Sequence, residues 1–316
     1  MRVLVTGGAG FIGSNLVDRL LAEGCDVDVI DDLSTGELAN LADARAQRSR
    51  RCTFHRMDLR SPQLADLLVQ RLPEVVFHLG AHADSREAAR HPLHDAEVNV
   101  LGSLNLFEAA VAAGTRKVVF AGSGATLYGT PESSPVRESH PQRPVSHLGV
   151  SKKAVGDYLH VYREQHGLEF TVLALASVYG PRQDPEAGSG VVAIFAGRLL
   201  AGRRPTMYGD GAQARDFLFV DDAVDAFVRA TDRGGGLLVN IGTGVATTVR
   251  DLHARMAALV GAGDDEVQHA AARPGELPSA ALDAGRAAIQ LGWKPWTTLD
   301  EGLELTLDWY RANLAR

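Results

Sequence analysis

Near the start of the 316-residue chain, Thr6-Gly7-Gly8-Ala9-Gly10-Phe11-Ile12-Gly13 follows the apolar run Met1–Val5 and opens the helical pattern Phe11–Glu23. Glycines at these spacings suit three tasks. Gly7 allows a tight turn, Gly10 lets the backbone approach a pyrophosphate, and Gly13 lets helix and strand pack closely, while free N–H groups at the helix start face the phosphates. Asp31 ends the next apolar run, Val27–Ile30, at the spacing expected of a carboxylate that grips an adenosine ribose. No arginine replaces it to receive a 2′-phosphate, so the pattern favours NAD over NADP. A glycine turn without a ligand is the bland alternative. Asp58, after the third strand, suits an adenine edge or an ordinary turn equally well.

The elements that must position these residues alternate. Strands are expected at Met1–Val5, Val27–Ile30, Cys52–Met57, Val75–Leu79, Lys117–Ala121 and Phe170–Leu175. Helices are expected at Phe11–Glu23, Gln63–Arg71, Ala96–Ala113 and from about Gly149 to His166. Such alternation predicts an α/β fold, a Rossmann-type doubly wound parallel sheet. Near-continuous apolar strands such as Val118-Val119-Phe120 fit a sheet buried on both faces. The texture changes after Val178, where Tyr179–Gly190 reads as a Gly-, Pro- and charge-rich loop. The expected division is a cofactor-binding part over 1–177, with 217–244 returning to it, and a smaller substrate-binding lobe over 178–316.

Composition bounds the rest. Hydrophobic residues make up 45% and charged residues 22%, the profile of a globular chain with a sizeable core. A net charge of −7 gives no overall basic footprint for nucleic acid. Arg45–Arg51 is a small basic cluster, read as a solvated loop with phosphate binding as the alternative. Two cysteines, Cys25 and Cys52, cannot build a disulfide scaffold or a zinc cluster by themselves, so no metal site is expected. No apolar run reaches the roughly 18 residues of a membrane span. The opening strand without a charged leader fits a cytoplasmic protein.

Further short strings run along nearly the whole chain: Phe77-His78-Leu79-Gly80-Ala81, Asn99-Val100-x-Gly102, Leu127-Tyr128-Gly129, Ser151-Lys152, Val178-Tyr179-Gly180-Pro181-Arg182, Tyr208-Gly209-Asp210-Gly211, Arg215-Asp216-Phe217, Asn240-Ile241-Gly242, Arg273-Pro274-Gly275-Glu276 and Leu291-Gly292-Trp293. In order and spacing they resemble the extended short-chain dehydrogenase/reductases, in the branch of nucleotide-sugar epimerases and dehydratases, with UDP-glucose 4-epimerases the nearest likeness. The resemblance implies a tightly held NAD that takes hydride from C4 of a nucleotide sugar and returns it to the other face. It implies cofactor contacts at Gly7, Gly10, Phe11, Ile12, Gly13, Asp31, Asp32, Ser34, Thr35, Asp58, Leu59, Leu79, Gly80, Ala81 and Asn99. Lys152 would hold the nicotinamide ribose and supply positive charge. Arg215 and Arg273 would grip the diphosphate through bidentate guanidinium forks. Ser177 stands at a substrate-contacting position, and Val191 and Val192 lie in the segment that meets the nucleobase. The partner implied is a UDP- or dTDP-hexose. Helices around Leu104–Ala113 and Val155–Glu164 resemble a pair that forms a four-helix homodimer interface.

The departures gather at the reaction centre. The family's tyrosine lies four residues before the lysine, where this chain has Leu148, a side chain that cannot accept a proton. Gly124 stands where epimerases often carry Ser or Thr, with Ser123 and Thr126 close enough to substitute. Ser177 replaces a common Asn, and Ala174 a common Arg. His147 and His82 are alternative bases, each with a structural or surface role as the blander reading. Three readings stay open: sugar redox chemistry with another base, a degenerate NAD- and nucleotide-sugar-binding relative, or one disabling replacement in an otherwise normal enzyme. Ala125-Thr126 is the epimerase version of a pair that is acidic in dehydratases, and decarboxylases commonly carry Glu at the Thr126 position. A 4-ketoreductase is a further alternative, although it too would want the tyrosine.

Overall fold

The computed structural model describes residues 1–46, 51–186, 190–263, 267–271 and 281–313. Twelve strands are found among them: β1 (Arg2–Thr6), β2 (Asp26–Asp31), β3 (Cys52–Arg56), β4 (Val75–His78), β5 (Lys117–Ser123), β6 (Glu169–Leu175), β7 (Ser177–Tyr179), β8 (Thr206–Tyr208), β9 (Ala214–Phe219), β10 (Leu237–Ile241), β11 (Ala246–Thr248) and β12 (Gln268–Ala270). Seven form one parallel sheet in the order β10-β6-β5-β4-β1-β2-β3. The strand order reverses between β1 and β4, which opens a crevice at their carboxyl ends. This is the doubly wound α/β fold expected from the alternation.

The sheet is buried on both faces because its strands are apolar at successive positions. In β1, Val3 and Val5 enter one core while Leu4 enters the other, each wholly buried. The first core is covered by the helices Phe11–Ala22 and Val220–Ala230. The second is covered by Leu64–Arg71, Gly102–Ala112 and His147–His166, through Leu68, Phe107, Val155 and Leu159.

The expected continuous helix over Ala96–Ala113 is interrupted. Pro92–Ala96 leads into a wide π-turn at Glu97–Leu101 before the helix Gly102–Ala112. Hydrophobic periodicity does not reveal one extra residue in a turn, and such turns gather at functional sites. The helix His147–His166 starts two residues earlier than expected, where the Ser146 hydroxyl accepts the Gly149 N–H at 3.1 Å.

After β6 the chain leaves the main sheet at once. β7 pairs in parallel with β9, which pairs antiparallel with β11. β8 and β12 form a separate parallel pair. Segment 237–241 runs beside β6 in the main sheet. Trp293 is wholly buried and donates its indole N–H to the Asp222 carbonyl at 2.9 Å, a core position.

Candidate active site

The glycine turn is shaped by contacts that a side chain would destroy. Gly7 has φ +67°, and a Cβ there would lie 2.7 Å from the Gly80 nitrogen, so the loops after β1 and β4 meet backbone to backbone. A Cβ on Gly13 would lie 2.1 Å from the Gly7 carbonyl, which sets how closely the first helix docks on the turn. Gly10 begins that helix without a side-chain cap, and half-buried Phe11 and Ile12 form its first turn. The first N–H groups are thereby left facing the crevice, the arrangement that binds anions.

Asp31, 8% exposed, joins the end of β2 to this turn. Its carboxylate accepts the Ala9 N–H and the Leu33 N–H, each at 2.9 Å. Burial pushes its pKa up, while those two donors favour the charged form. A Cβ on Gly36 would fall 2.9 Å from the same carboxylate, so the loop after β2 also has to stay bare there. The exposed Asp32 accepts the Ser34 N–H and hydroxyl, and Thr35 beside them is exposed. Asp58 accepts the Arg60 N–H at 2.8 Å and its guanidinium at 2.6 Å, a pair that holds the carboxyl below its ordinary range. It thus has an evident role in the turn. Leu59 is buried under it.

On the other side of β1, the loop Leu79–His82 is held by Asn99 of the π-turn. The Asn99 amide donates to the His82 carbonyl at 3.0 Å and to Asp95 at 2.8 Å, and its oxygen accepts the His82 N–H at 2.8 Å. Both amide protons of Asn99 are spent on protein groups. The Gly80 N–H donates to the Thr6 hydroxyl, which also shares a 2.8 Å bond with wholly buried His78. Burial drives the His78 pKa down to about 3, so this ring is neutral and structural. Ala81 follows on the same loop.

Lys152 projects from the helix His147–His166 toward the end of β5. Its Nζ donates to the Ala121 carbonyl at 3.0 Å and sits 4.7 Å from the centroid of the Phe120 ring. Burial lowers its pKa to about 8, against the opposing pull of Asp95. Asp95, 1% exposed, accepts the Ser151 hydroxyl at 2.6 Å as well as Asn99.

Leu148 is 5% exposed, whereas His147 next to it is exposed to solvent. A Cβ on Gly149 would lie 2.8 Å from the Thr126 carbonyl, so the start of this helix docks on the short turn Gly124–Leu127. The Thr126 hydroxyl turns back to the Ser123 carbonyl at 3.4 Å. At Gly124 a Cβ would meet Leu282 Cδ1 at 2.4 Å, so Leu282 occupies the space where a hydroxyl-bearing side chain would start. Tyr128 offers no substitute phenol: it is 3% exposed, donates to Asn240 at 2.6 Å, and burial pushes its pKa up. His82 has its Nδ1 4.0 Å from Asp95 and its ring against His94.

A cleft of about 550 Å³ opens beside β7 and β9. Ser177, Val191, Val192, Tyr208 and Arg215 line it, and Arg86 reaches it from beyond the β4 loop. Gly190, at φ +87°, turns the chain into the helix Val191–Leu200 and brings both valines to the wall. Alternation along β9 sends Arg215 to the cleft and Asp216 inward. Asp216, 2% exposed, accepts the N–H groups of Thr243, Gly244 and Leu282. It locks three segments together, a role not deducible from its neighbours in the chain. Asp210 accepts the Ala212 N–H at 3.0 Å in its own turn. Arg273, Gly275 and Glu276 lie outside the described residues, as do residues 47–50 of the basic cluster.

Comparison with known proteins defines the class. Residues 3–242 match the NAD dependent epimerase/dehydratase family, and the chain belongs to it. A UDP-glucose 4-epimerase of Mycolicibacterium smegmatis is 47% identical over 312 residues, 98% of this chain and 99% of that protein. The structure of a UDP-glucose 4-epimerase of Thermotoga maritima, solved with UDP-glucose, has a TM-score of 0.95 at 38% identity and covers 99% of this chain and 100% of that one. A UDP-glucose 4-epimerase of Thermus thermophilus in complex with NAD has a TM-score of 0.91, also at 38% identity, with 99% and 100% covered. The family's dinucleotide is NAD, and the glycine cradle, the Asp31 carboxylate and the uncapped helix start of this chain fit it.

Proposed function

We propose that this chain is an NAD-dependent nucleotide-sugar 4-epimerase with an atypical reaction centre. The observation that carries the reading is the cleft wall. It joins Arg86, from the cofactor side, to Ser177, Val191 and Arg215 of the later segments. On this proposal dinucleotide and substrate lie on two sides of one reaction centre. In this reading residues 1–177 and 217–244 hold the cofactor, and most of 178–316 holds the substrate. Gly7, Gly10, Gly13, Phe11 and Ile12 seat the pyrophosphate, and Asp31 the adenosine ribose, with Asp32, Ser34 and Thr35 at its edge. Asp58 and Leu59 border the adenine. Leu79, Gly80, Ala81 and Asn99 shape the opposite wall. The bound dinucleotide supplies the acceptor and donor of hydride.

The chain's own residues do the rest. Arg215 pairs with the substrate diphosphate, with Arg273 as its proposed partner. Val191 and Val192 border the base, and Ser177 the sugar. Lys152 fixes the nicotinamide ribose, and Ser123 and Thr126 offer hydroxyls to the sugar. Incubation with UDP- and dTDP-hexoses, followed by NMR of the sugar, tests this: a C4-inverted product is expected. Binding of NAD and sugar with no turnover of any hexose rejects it.

One observation favours a second reading, a binding relative with little turnover. Leu148, which the resemblance sets at the family's tyrosine, is buried, and the neighbouring His147 is exposed. A 4-ketoreductase would lack its proton donor for the same reason. We also propose a homodimer. Val150, Tyr158 and Val161 are exposed along the helix His147–His166, and Leu93 and Leu101 are exposed on the neighbouring segment. A second copy would cover this face. Among the described residues no helix is long and apolar enough to cross a membrane, and a cytoplasmic location is proposed with the rest.

A further inference from the structure

With leucine at 148, some other group must take the sugar's hydroxyl proton. His147 is exposed. His82 faces Asp95 and lines neither the substrate cleft nor the smaller cavity behind β5. That smaller cavity, about 180 Å³, is lined by Ser123 and Lys152 together with Gln142, Lys153, Gly156 and Asp157. Gly156 helps to create it, since a Cβ there would meet only Val172 Cγ2, 3.8 Å away. At its rim Lys153 pairs with the exposed Asp157 at 2.6 Å. The cavity therefore runs from the lysine of the reaction centre to a charged, solvated edge.

We propose that Lys152 itself exchanges the proton with the sugar C4 hydroxyl in this chain, and that the cavity behind it, rimmed by Lys153 and Asp157, is its route to solvent. This rests on the epimerase reading. In the first half-reaction the O–H bond at C4 breaks and its proton goes to unprotonated Nζ, directly or through the Ser123 hydroxyl. The C4–H bond breaks with its electron pair leaving, as hydride, to the dinucleotide. In the second half both return, the hydride to the opposite face of C4, so no further oxidant or reductant is consumed.

The surroundings allow Nζ to cycle. Its hydrogen-bond acceptor is the neutral Ala121 carbonyl rather than a carboxylate. Asp95 is the facing negative charge, already engaged by Ser151 and Asn99. His78 is neutral, and Phe120 lies beneath the ammonium. Lys153 and Asp157 face the cavity from the same helix. Burial brings the Lys152 pKa to about 8, so the neutral form is accessible in the ordinary working range.

Two readouts test this together. The chain has four lysines, so ¹³Cε-lysine NMR gives four signals, and K152R identifies one by removing it. That signal is expected to titrate near 8. The wild-type kcat is expected to rise about tenfold per pH unit below that value and then level off, as the neutral fraction does. L148Y should move the plateau to lower pH, and K152M should abolish turnover even where NAD content is retained. G156L, which fills the cavity, should lower kcat several-fold without changing KM; an unchanged kcat overturns the route. A wild-type rate that ignores the Lys152 titration overturns the role of Lys152 and leaves the epimerase reading standing. Turnover by L148Y with none by the wild type at any pH overturns both for this chain and leaves the binding relative. Turnover by neither protein overturns the epimerase reading and the inference with it.

Discussion

The family resemblance places a proton carrier at position 148, where this chain has a branched apolar side chain packed into its surroundings. Leu148 is buried, Leu282 fills the space beside Gly124, and Tyr128 is committed to Asn240. A positioned general base contributes roughly 10²–10⁴ in rate. L148Y is therefore expected to raise kcat by about 10²-fold or more in a coupled epimerase assay, with KM little changed. An unchanged rate would mean that more than the phenol is missing. The proposed loss at 148 and the glycine at 124 rest on counting along the chain from Lys152 in the family's pattern. What Asn99 and Asp95 do was not legible. Asp95 meets Ser151 across 56 residues, and Asn99 meets His82 across 17, so no local pattern carries either contact.

The same contrast holds for the elements. The long parallel strands were readable because apolar residues at successive positions mark a sheet covered on both faces. The three-residue strands β7, β8, β11 and β12 were not, since three residues hold little more than one alternation of pattern. The glycine turn is the element most exposed to substitution. G13V would drive a side chain into the Gly7 carbonyl. Overpacking of this kind costs about 1–3 kcal/mol. A lower Tm and purification without NAD are expected, read by calorimetry and absorbance; full NAD content would argue against the cradle.

His78 makes the link between β1 and β4 pH-dependent. It stays neutral when folded, with a pKa of about 3, and reverts to about 6.5 when unfolded. Below 6.5 the unfolded chain binds more protons. Stability is therefore full above that pH and is lost as pH falls toward 3, by about 1.4 kcal/mol per unit from this group. Between pH 7.5 and 5.0, urea unfolding should show a loss about 2 kcal/mol smaller for H78Q than for the wild type. Equal losses would show that His78 is not the sensor.

At the scale of the whole molecule, two proposed binding regions and one apolar face need a common explanation. The sequence marked the first region strongly through Gly7, Gly10, Gly13 and Asp31. It marked the second only through scattered strings, because Ser177, Val191 and Arg215 meet solely by folding. The exposed stripe Val150, Tyr158 and Val161 was legible as helical apolar spacing, which serves a core or an interface equally. A Y158E/V161E double variant is expected to convert a dimer to monomers in sedimentation analysis while NAD stays bound. A wild type that sediments as a monomer contradicts the dimer.

The measurement nearest to the central claim approaches one equilibrium from two sides. UDP-glucose and UDP-galactose are incubated separately with the NAD-loaded wild-type protein, and with L148Y, and followed by proton NMR over hours. Epimerisation predicts that both starting sugars converge on one shared ratio, slowly with leucine at 148 and far faster with tyrosine. Both sugars remaining unchanged with either protein, while calorimetry records their binding, would contradict it.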